Sequence, residues 1–259
     1  MIPFSLKVCC LGVLLIGLAQ AQMSPGVHGV VVSESGKPLS GVTVRTRKRC
    51  CPFMEKQTIT DESGSFILQP DAVVAHFRAD DFRPLSVVVH SGQEDLRIVL
   101  EGAEGTTWKI PFCASLKEHG ERVGSTFKFL VPEAVATSGH TDVDYRKYFM
   151  KYPHTTDTLV LWSGPYASNV DPDGELLENS TSFSERWISA PATPNIGIDA
   201  VGFSKDGKPW RWCGLLITDS GSYIGVSPEA AKYFDTVIDS VCVPPGSLRP
   251  REISRPPSN

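Results

Sequence analysis

Short β-branched runs alternate with turn residues from Gly26 to Glu101. Residues 27–32 form the first run, and Ser35-Gly36-Lys37-Pro38 breaks it. Val42 and Val44 then alternate with Thr43 and Arg45, the period of two that buries one face of a strand. Residues 57–60 follow, Asp61-Glu62-Ser63-Gly64 turns the chain, and Phe66 and Leu68 resume the alternation. Residues 73–77, 85–89 and 96–100 complete seven strand candidates. Evenly spaced short strands with no helical period predict an antiparallel all-β sandwich over residues 26–101.

The pattern changes after Gly102-Ala103-Glu104-Gly105, a short linker. Phe127, Phe129 and Val131 alternate ahead of Pro132, and residues 145–151 and 158–162 predict two more strands about a turn at Tyr152-Pro153-His154. Residues 197–203 and 210–217 predict a hairpin over Ser204-Lys205-Asp206-Gly207, where Asp-Gly suits a tight turn. A helix opens at Ser227 as N-cap, with Pro228 at its first position and Glu229 in its first turn. Ala230, Phe234, Val237, Ile238 and Val241 make one apolar stripe that stops before Pro244-Pro245. A second helix is predicted from Asp173 to about Ser182. Strands packed by one or two helices predict an α+β domain over residues 106–243 with a mainly antiparallel sheet and a C-terminal helix. Residues 244–259 are proline-rich and polar, a flexible tail.

Three stretches of the first region carry a family likeness. Gly29-Val30-Val31, Gly36-Lys37-Pro38-Leu39-Ser40-Gly41-Val42-Thr43-Val44 and Thr60-Asp61-Glu62-Ser63-Gly64-Ser65-Phe66 resemble the carboxypeptidase regulatory-like domain, a transthyretin-like sandwich of about seven strands. The resemblance covers residues 26–101 and implies a non-catalytic accessory module with a carbohydrate-binding-like fold. One departure is Arg47-Lys48-Arg49-Cys50-Cys51-Pro52-Phe53, a basic, cysteine-bearing insert where a plain hairpin is expected. In residues 106–243 the order of elements resembles the PsbP-like fold class, without a motif to support it.

The first 21 residues read as a secretory signal. Lys7 supplies the positive charge, residues 8–19 are apolar with interrupting glycines, and Ala19-Gln20-Ala21 is an A-x-A cleavage site. The expected location is therefore secreted or periplasmic, with no stable membrane anchor after cleavage. Five cysteines lie beyond this segment: Cys50, Cys51, Cys113, Cys213 and Cys242. Export favours disulfides, and Cys113 and Cys242 flank the second region, so these two are the predicted pair. The alternative is that Cys213 and Cys242 are buried hydrophobes. No C-x-x-C is present and no histidine stands at ligand spacing from a cysteine, which argues against zinc.

Across 259 residues, 41% are apolar and 21% charged, with a formal charge of -4. That balance argues against a nucleic-acid partner, and no basic, aromatic-interleaved stretch is read in the chain. All five tryptophans and six tyrosines lie between Trp108 and Tyr233, so the first region is a poor sugar binder. Trp210 and Trp212 share one face of their strand, and Arg211, Cys213, Leu215 and Ile217 take the other. Trp162 and Tyr166 flank Ser163-Gly164-Pro165. Trp162, Tyr166, Trp210, Arg211 and Trp212 are thus the candidate ligand-binding residues, with Lys205 and Lys208 nearby. The competing reading is core packing, the ordinary role of tryptophan.

Three short patterns carry less. Leu215-Leu216-Ile217-Thr218-Asp219-Ser220-Gly221 looks like an aspartic-protease run, but that chemistry needs two carboxylates sharing a proton and only one copy exists. A strand ending in an Asp-Ser-Gly turn is expected there instead. Asn169, Asp171, Asp173 and Gly174 copy half of a calcium loop, yet Ser180 stands where the bidentate glutamate belongs. Asn179-Ser180-Thr181 is a glycosylation sequon. His28, His76 and His90 have no nucleophile or carboxylate placed with them, which predicts surface or hydrogen-bonded histidines.

The expected function is non-enzymatic binding or adhesion outside the cytosol, with a glycan, a peptide or a cell-envelope protein as partner and no metal or cofactor. One alternative is a hydrolase drawing on Asp219, Asp142, Asp144, His140 and His154. Another is a structural component of the cell envelope.

Overall fold

The computed structural model describes residues 26–48, 51–68, 72–90, 92–113, 121–132, 137–141, 145–164, 171–172, 174–216 and 218–248. The fold is built mostly of β-sheet. All seven strands expected in the first region form: β1 (Val27–Ser33), β2 (Thr43–Lys48), β3 (Cys51–Ile59), β4 (Ser65–Leu68), β5 (Ala72–Arg78), β6 (Leu85–Val88) and β7 (Leu96–Leu100). They make two sheets, ordered β4-β1-β7 and β3-β2-β5-β6. Val31, Phe66 and Ile98 of the first meet Val44 and Phe77 of the second in one apolar cluster. One pairing departs from the antiparallel expectation. β7 returns from the neighbouring sheet and lies parallel to β1, Gly29 opposite Leu96. Strands β2 and β3 pair as a hairpin with an irregularity at Arg47/Lys48; Arg49 and Cys50 lie outside the described residues.

Downstream come β8 (Trp108–Lys109), β9 (Glu121–Val123), β10 (Phe129–Val131), β11 (Thr137–Thr141), β12 (Arg146–Lys151) and β13 (Thr158–Ser163). They are followed by α1 (Gly174–Glu178), β14 (Ser180–Ala190), β15 (Thr193–Ser204), β16 (Pro209–Leu215), β17 (Asp219–Ile224) and α2 (Pro228–Asp239). Eight of these strands form one sheet in the order β11-β12-β13-β17-β16-β15-β14-β8, while β9 and β10 pair separately. Among the described strands of the large sheet, β8 and β14 pair in parallel and the other neighbours pair antiparallel.

Helix α2 obeys its sequence signals. Ser227 Oγ accepts from the Ala230 amide, and Asp157 in turn accepts from both the Ser227 amide and hydroxyl. Phe234, Val237 and Ile238 drop into a core with Phe129, Leu161 and Leu215. The predicted β15–β16 hairpin also forms, turning at Gly207 with φ 75°.

Three expectations are corrected. Helix α1 stops at Glu178 instead of about Ser182, because Ser180 Oγ donates to the Leu176 carbonyl and the chain then pairs with β15. Strand β16 ends at Leu215, and Ile217 lies outside the described residues. Asp219-Ser220-Gly221 does not form a turn after a strand; it opens β17, with Asp219 paired to both Ser163 and Leu215.

A smaller apolar cluster joins the early sheets to the large one. Val74 of β5 packs with Leu176 and Leu177 of α1 and with Trp187, Ile198, Ala200 and Trp210 of the large sheet. Beyond the last helix, Cys113 and Cys242 are bonded as predicted, across 129 residues of sequence. Cys213 is a free, buried thiol whose pKa burial pushes well up, so it is a poor nucleophile. Replacing both bonded cysteines with serine is expected to lower stability by about 2–4 kcal/mol. Urea unfolding of this variant against the oxidised wild type measures the effect, and the reduced wild type should match the variant.

Candidate functional site

Pairing register sorts the large sheet into two faces. Toward α2 point Leu161, Cys213, Leu215 and Tyr223, with Asp199 and Arg211 at the β15–β16 end. On the opposite face one cross-strand row runs Lys147, Trp162, Ser220, Gly214, Ile198, Trp187. The next row runs Phe149, Val160, Ser222, Trp212, Ala200, Glu185. Packing by Val74, Leu176 and Leu177 covers this face over β14–β16. Over β12 and β13, Tyr145, Lys147, Phe149, Val160 and Trp162 stay half-buried.

The candidate residues therefore do not form one groove. Trp210 is 1% exposed and lies 6.2 Å from the Phe183 ring within the covered half, so it offers no face to a ligand. Trp212 is half-buried against the same cluster. The alternation of the two tryptophans holds, and core packing is what Trp210 does. Arg211 sits on the other side of the sheet, buried, donating to Asp199, Asp235 and Asp239. Burial disfavours its charge, but these carboxylates outweigh that and hold its pKa above the ordinary arginine value. Tyr223 donates to Asp235, and burial followed by that carboxylate raises the phenol's pKa. A cleft of about 280 Å³ opens above this ion cluster, lined by Arg186, Val201, Asp235 and Asp239. Tyr166 lies outside the described residues.

Among the described candidates, Trp162 is half-buried and lies outside the part of the face covered by Val74, Leu176 and Leu177. Lys147 Nζ stands 4.0 Å from its ring centroid and 5.1 Å from that of Phe149. Tyr145 packs 5.3 Å from Trp162 at 42°. Two aromatic rings thus hold one ammonium group, and Tyr145 buttresses the Trp162 ring. Sequence reasoning missed Lys147, Tyr145 and Phe149, and it also missed that residues 145–152 interleave basic and aromatic side chains. The signal was there: Tyr145, Lys147 and Phe149 stand at i, i+2 and i+4 of one strand.

The groups named for a hydrolase are placed elsewhere or already engaged. Asp219 is fully buried and accepts from the amides of Ser125, Thr126 and Phe127. It also accepts directly from the hydroxyls of Ser125 and Thr218. Asp142 and Asp144 lie outside the described residues, His140 is on the edge strand β11 opposite Lys147, and His154 is exposed in the β12–β13 turn. Asp171, half of the calcium pattern, instead receives Arg78 Nε at 3.0 Å and is buried. Asn169 and Asp173 lie outside the described residues, and Gly174 opens α1. His76 is a buried, hydrogen-bonded histidine, its Nδ1 2.7 Å from Ser86 Oγ, while His28 and His90 are exposed.

No family model matches the chain, and no curated protein matches it. Among solved structures, a streptococcal ancillary pilin aligns over 80% of this chain and 60% of its own, at 10% identity and a TM-score of 0.23. A likeness that weak carries neither fold nor function.

Proposed function

We propose that this chain is an exported, non-enzymatic binding protein that works outside the cytosol, with residues 1–21 as its cleaved signal. In this reading residues 26–101 are a carboxypeptidase regulatory-like, transthyretin-like sandwich that serves as an accessory unit. Residues 106–243 carry recognition, and residues 244–259 form a tail. The observation that carries the reading is the half-buried half-face of the large sheet over β12 and β13, where Lys147 lies on the Trp162 and Phe149 rings and Tyr145 packs on Trp162. Aromatic rings beside a polar handle suit sugar or peptide ligands. The Cys113–Cys242 bond supports an extracellular setting. Among the described residues no helix is long and apolar enough to cross a membrane.

A hydrolase has less behind it, because the Asp219 carboxylate is tied to three main-chain amides and holds a loop. Arrays of glycans and peptides probed with the chain from Gln22 onward test the reading. The expected result is saturable retention on one ligand class with no change in that ligand's mass. Retention on no feature, or cleavage of the retained ligand, overturns it.

A further inference from the structure

Lys147 differs from Arg186 and Arg211 of the large sheet in what it touches. Arg186 and Arg211 are each paired with carboxylates. Among the described residues the Lys147 ammonium has ring contacts alone, to Trp162 and Phe149, and no carboxylate or hydrogen-bond acceptor reaches it. A lysine ammonium has three N–H donors. Here the two ring faces orient it without using any of them.

The neighbours reinforce the sign of the patch. Lys151 is exposed further along the same face of β12, also without a carboxylate at ion-pair distance among the described residues. Tyr145, Phe149, Val160 and Trp162 complete the half-face, and none of them carries negative charge. The complementary ligand is therefore an anion attached to a flat apolar surface.

We propose that this half-face binds an acidic carbohydrate, a uronic-acid-bearing glycan, with a sugar ring against Tyr145 and Trp162 and its carboxylate on Lys147. The proposal rests on the binding function inferred above and names the ligand class for that surface. Compactness selects the sugar. The Lys147 ammonium stands 4.0 Å from the Trp162 ring centroid and the Tyr145 ring 5.3 Å from the same ring, and a uronate carboxylate is attached directly to its pyranose ring. An acidic peptide carries its carboxylates on flexible stems away from any ring. A polyphosphate backbone meets an overall charge of -4.

The test uses the chain from Gln22 onward in calorimetric titrations with oligogalacturonate, its methyl ester, oligoglutamate and single-stranded DNA. The acid should bind roughly tenfold or more tightly than the ester, and binding should weaken as salt is raised. Lys147→Met should abolish the preference for acid over ester while leaving ester binding in place. Trp162→Ala should weaken both roughly tenfold, and Trp162→Phe should recover part of that loss with an unfolding midpoint near wild type. Equal affinity for acid and ester overturns the acidic-ligand assignment and leaves the binding function standing. Equal or tighter binding of oligoglutamate or DNA overturns the carbohydrate assignment. Binding unaffected by either substitution moves the site elsewhere, and no binding of any probe removes the proposal.

Discussion

An Asp219→Ala variant is expected to lose about 3–5 kcal/mol of stability, enough to unfold a marginal domain. The carboxylate is fully buried, and its oxygens lie 2.7 Å from the Ser125 amide, 2.9 Å from that of Thr126 and 3.1 Å from that of Phe127. Removing it strands these donors, and a buried donor left without an acceptor costs about 1–3 kcal/mol. Ser125 is exposed, so water will satisfy its amide and the total stays below three full penalties. The loop it holds matters because Phe127 and Phe129 enter the core beneath α2 from its far end. Gly124 opens the same loop at φ 124°, and a Cβ there would collide with the Phe127 carbonyl. Asp219→Asn should fall between wild type and Asp219→Ala, since it keeps one acceptor oxygen and turns an amide toward other N–H groups. Urea unfolding midpoints measure the series. A loss under about 1 kcal/mol for Asp219→Ala would show that the loop is held by other contacts.

The same residue shows where sequence reading stops. Asp219 stands in a run that looks like a turn, and nothing local indicates that three amides lying some ninety positions earlier converge on it. By contrast, β1 to β7 were legible because strict alternation and glycine-bearing turns act within a few residues. Helix α2 was legible for a similar reason, with its cap, proline and apolar stripe all local. Strands β8, β9 and β11 are two, three and five residues long, with too few apolar positions to set a period. Strand β14 begins Ser-Thr-Ser after a helix signal, and only pairing with β15 makes it a strand. At the site, alternation correctly put Trp210 and Trp212 on one face. It could not say which half of that face is covered, because the cover comes from Val74, over a hundred residues earlier.

Arg78→Met should cost about 3–5 kcal/mol, because it removes the cation from a buried cluster and leaves the anions behind. Arg78 leaves β5 and reaches Asp171 through Nε at 3.0 Å and Glu185 of β14 through Nη1 at 3.4 Å. It also donates to the Phe77 and Leu85 carbonyls, and Ser86 Oγ links it to Glu185. Arg45, 3.9 Å from Asp171 and partly exposed, and His76 would remain near Asp171, which is too little to balance the two carboxylates. The cluster ties the early sheets to the large one, so the variant should also loosen that junction, seen as faster hydrogen exchange at β6 and β14.

The two carboxyls respond to pH with opposite signs. Burial pushes Asp171 up, but Arg78, then His76 and Arg45, outweigh it and hold the pKa below the ordinary 3.8. Asp171 thus favours folding above about pH 4, and that contribution is lost as pH falls below it. For Glu185 burial outweighs the pull of Arg78 and the Ser86 hydroxyl, and the pKa lies above the ordinary 4.5. Its contribution is complete below pH 4.5 and is lost as pH rises through the raised value. Asp171→Asn should therefore destabilise the protein at pH 7, with the gap to wild type closing below about pH 4. Glu185→Gln should equal or exceed wild-type stability at pH 7 and converge with it in acid, since the folded state prefers that carboxyl neutral. Unfolding free energies from pH 3 to 8 for the three proteins decide it. Parallel profiles would mean that neither carboxyl changes its proton affinity on folding, and a large loss for Glu185→Gln at pH 7 would mean that Arg78 needs both charges.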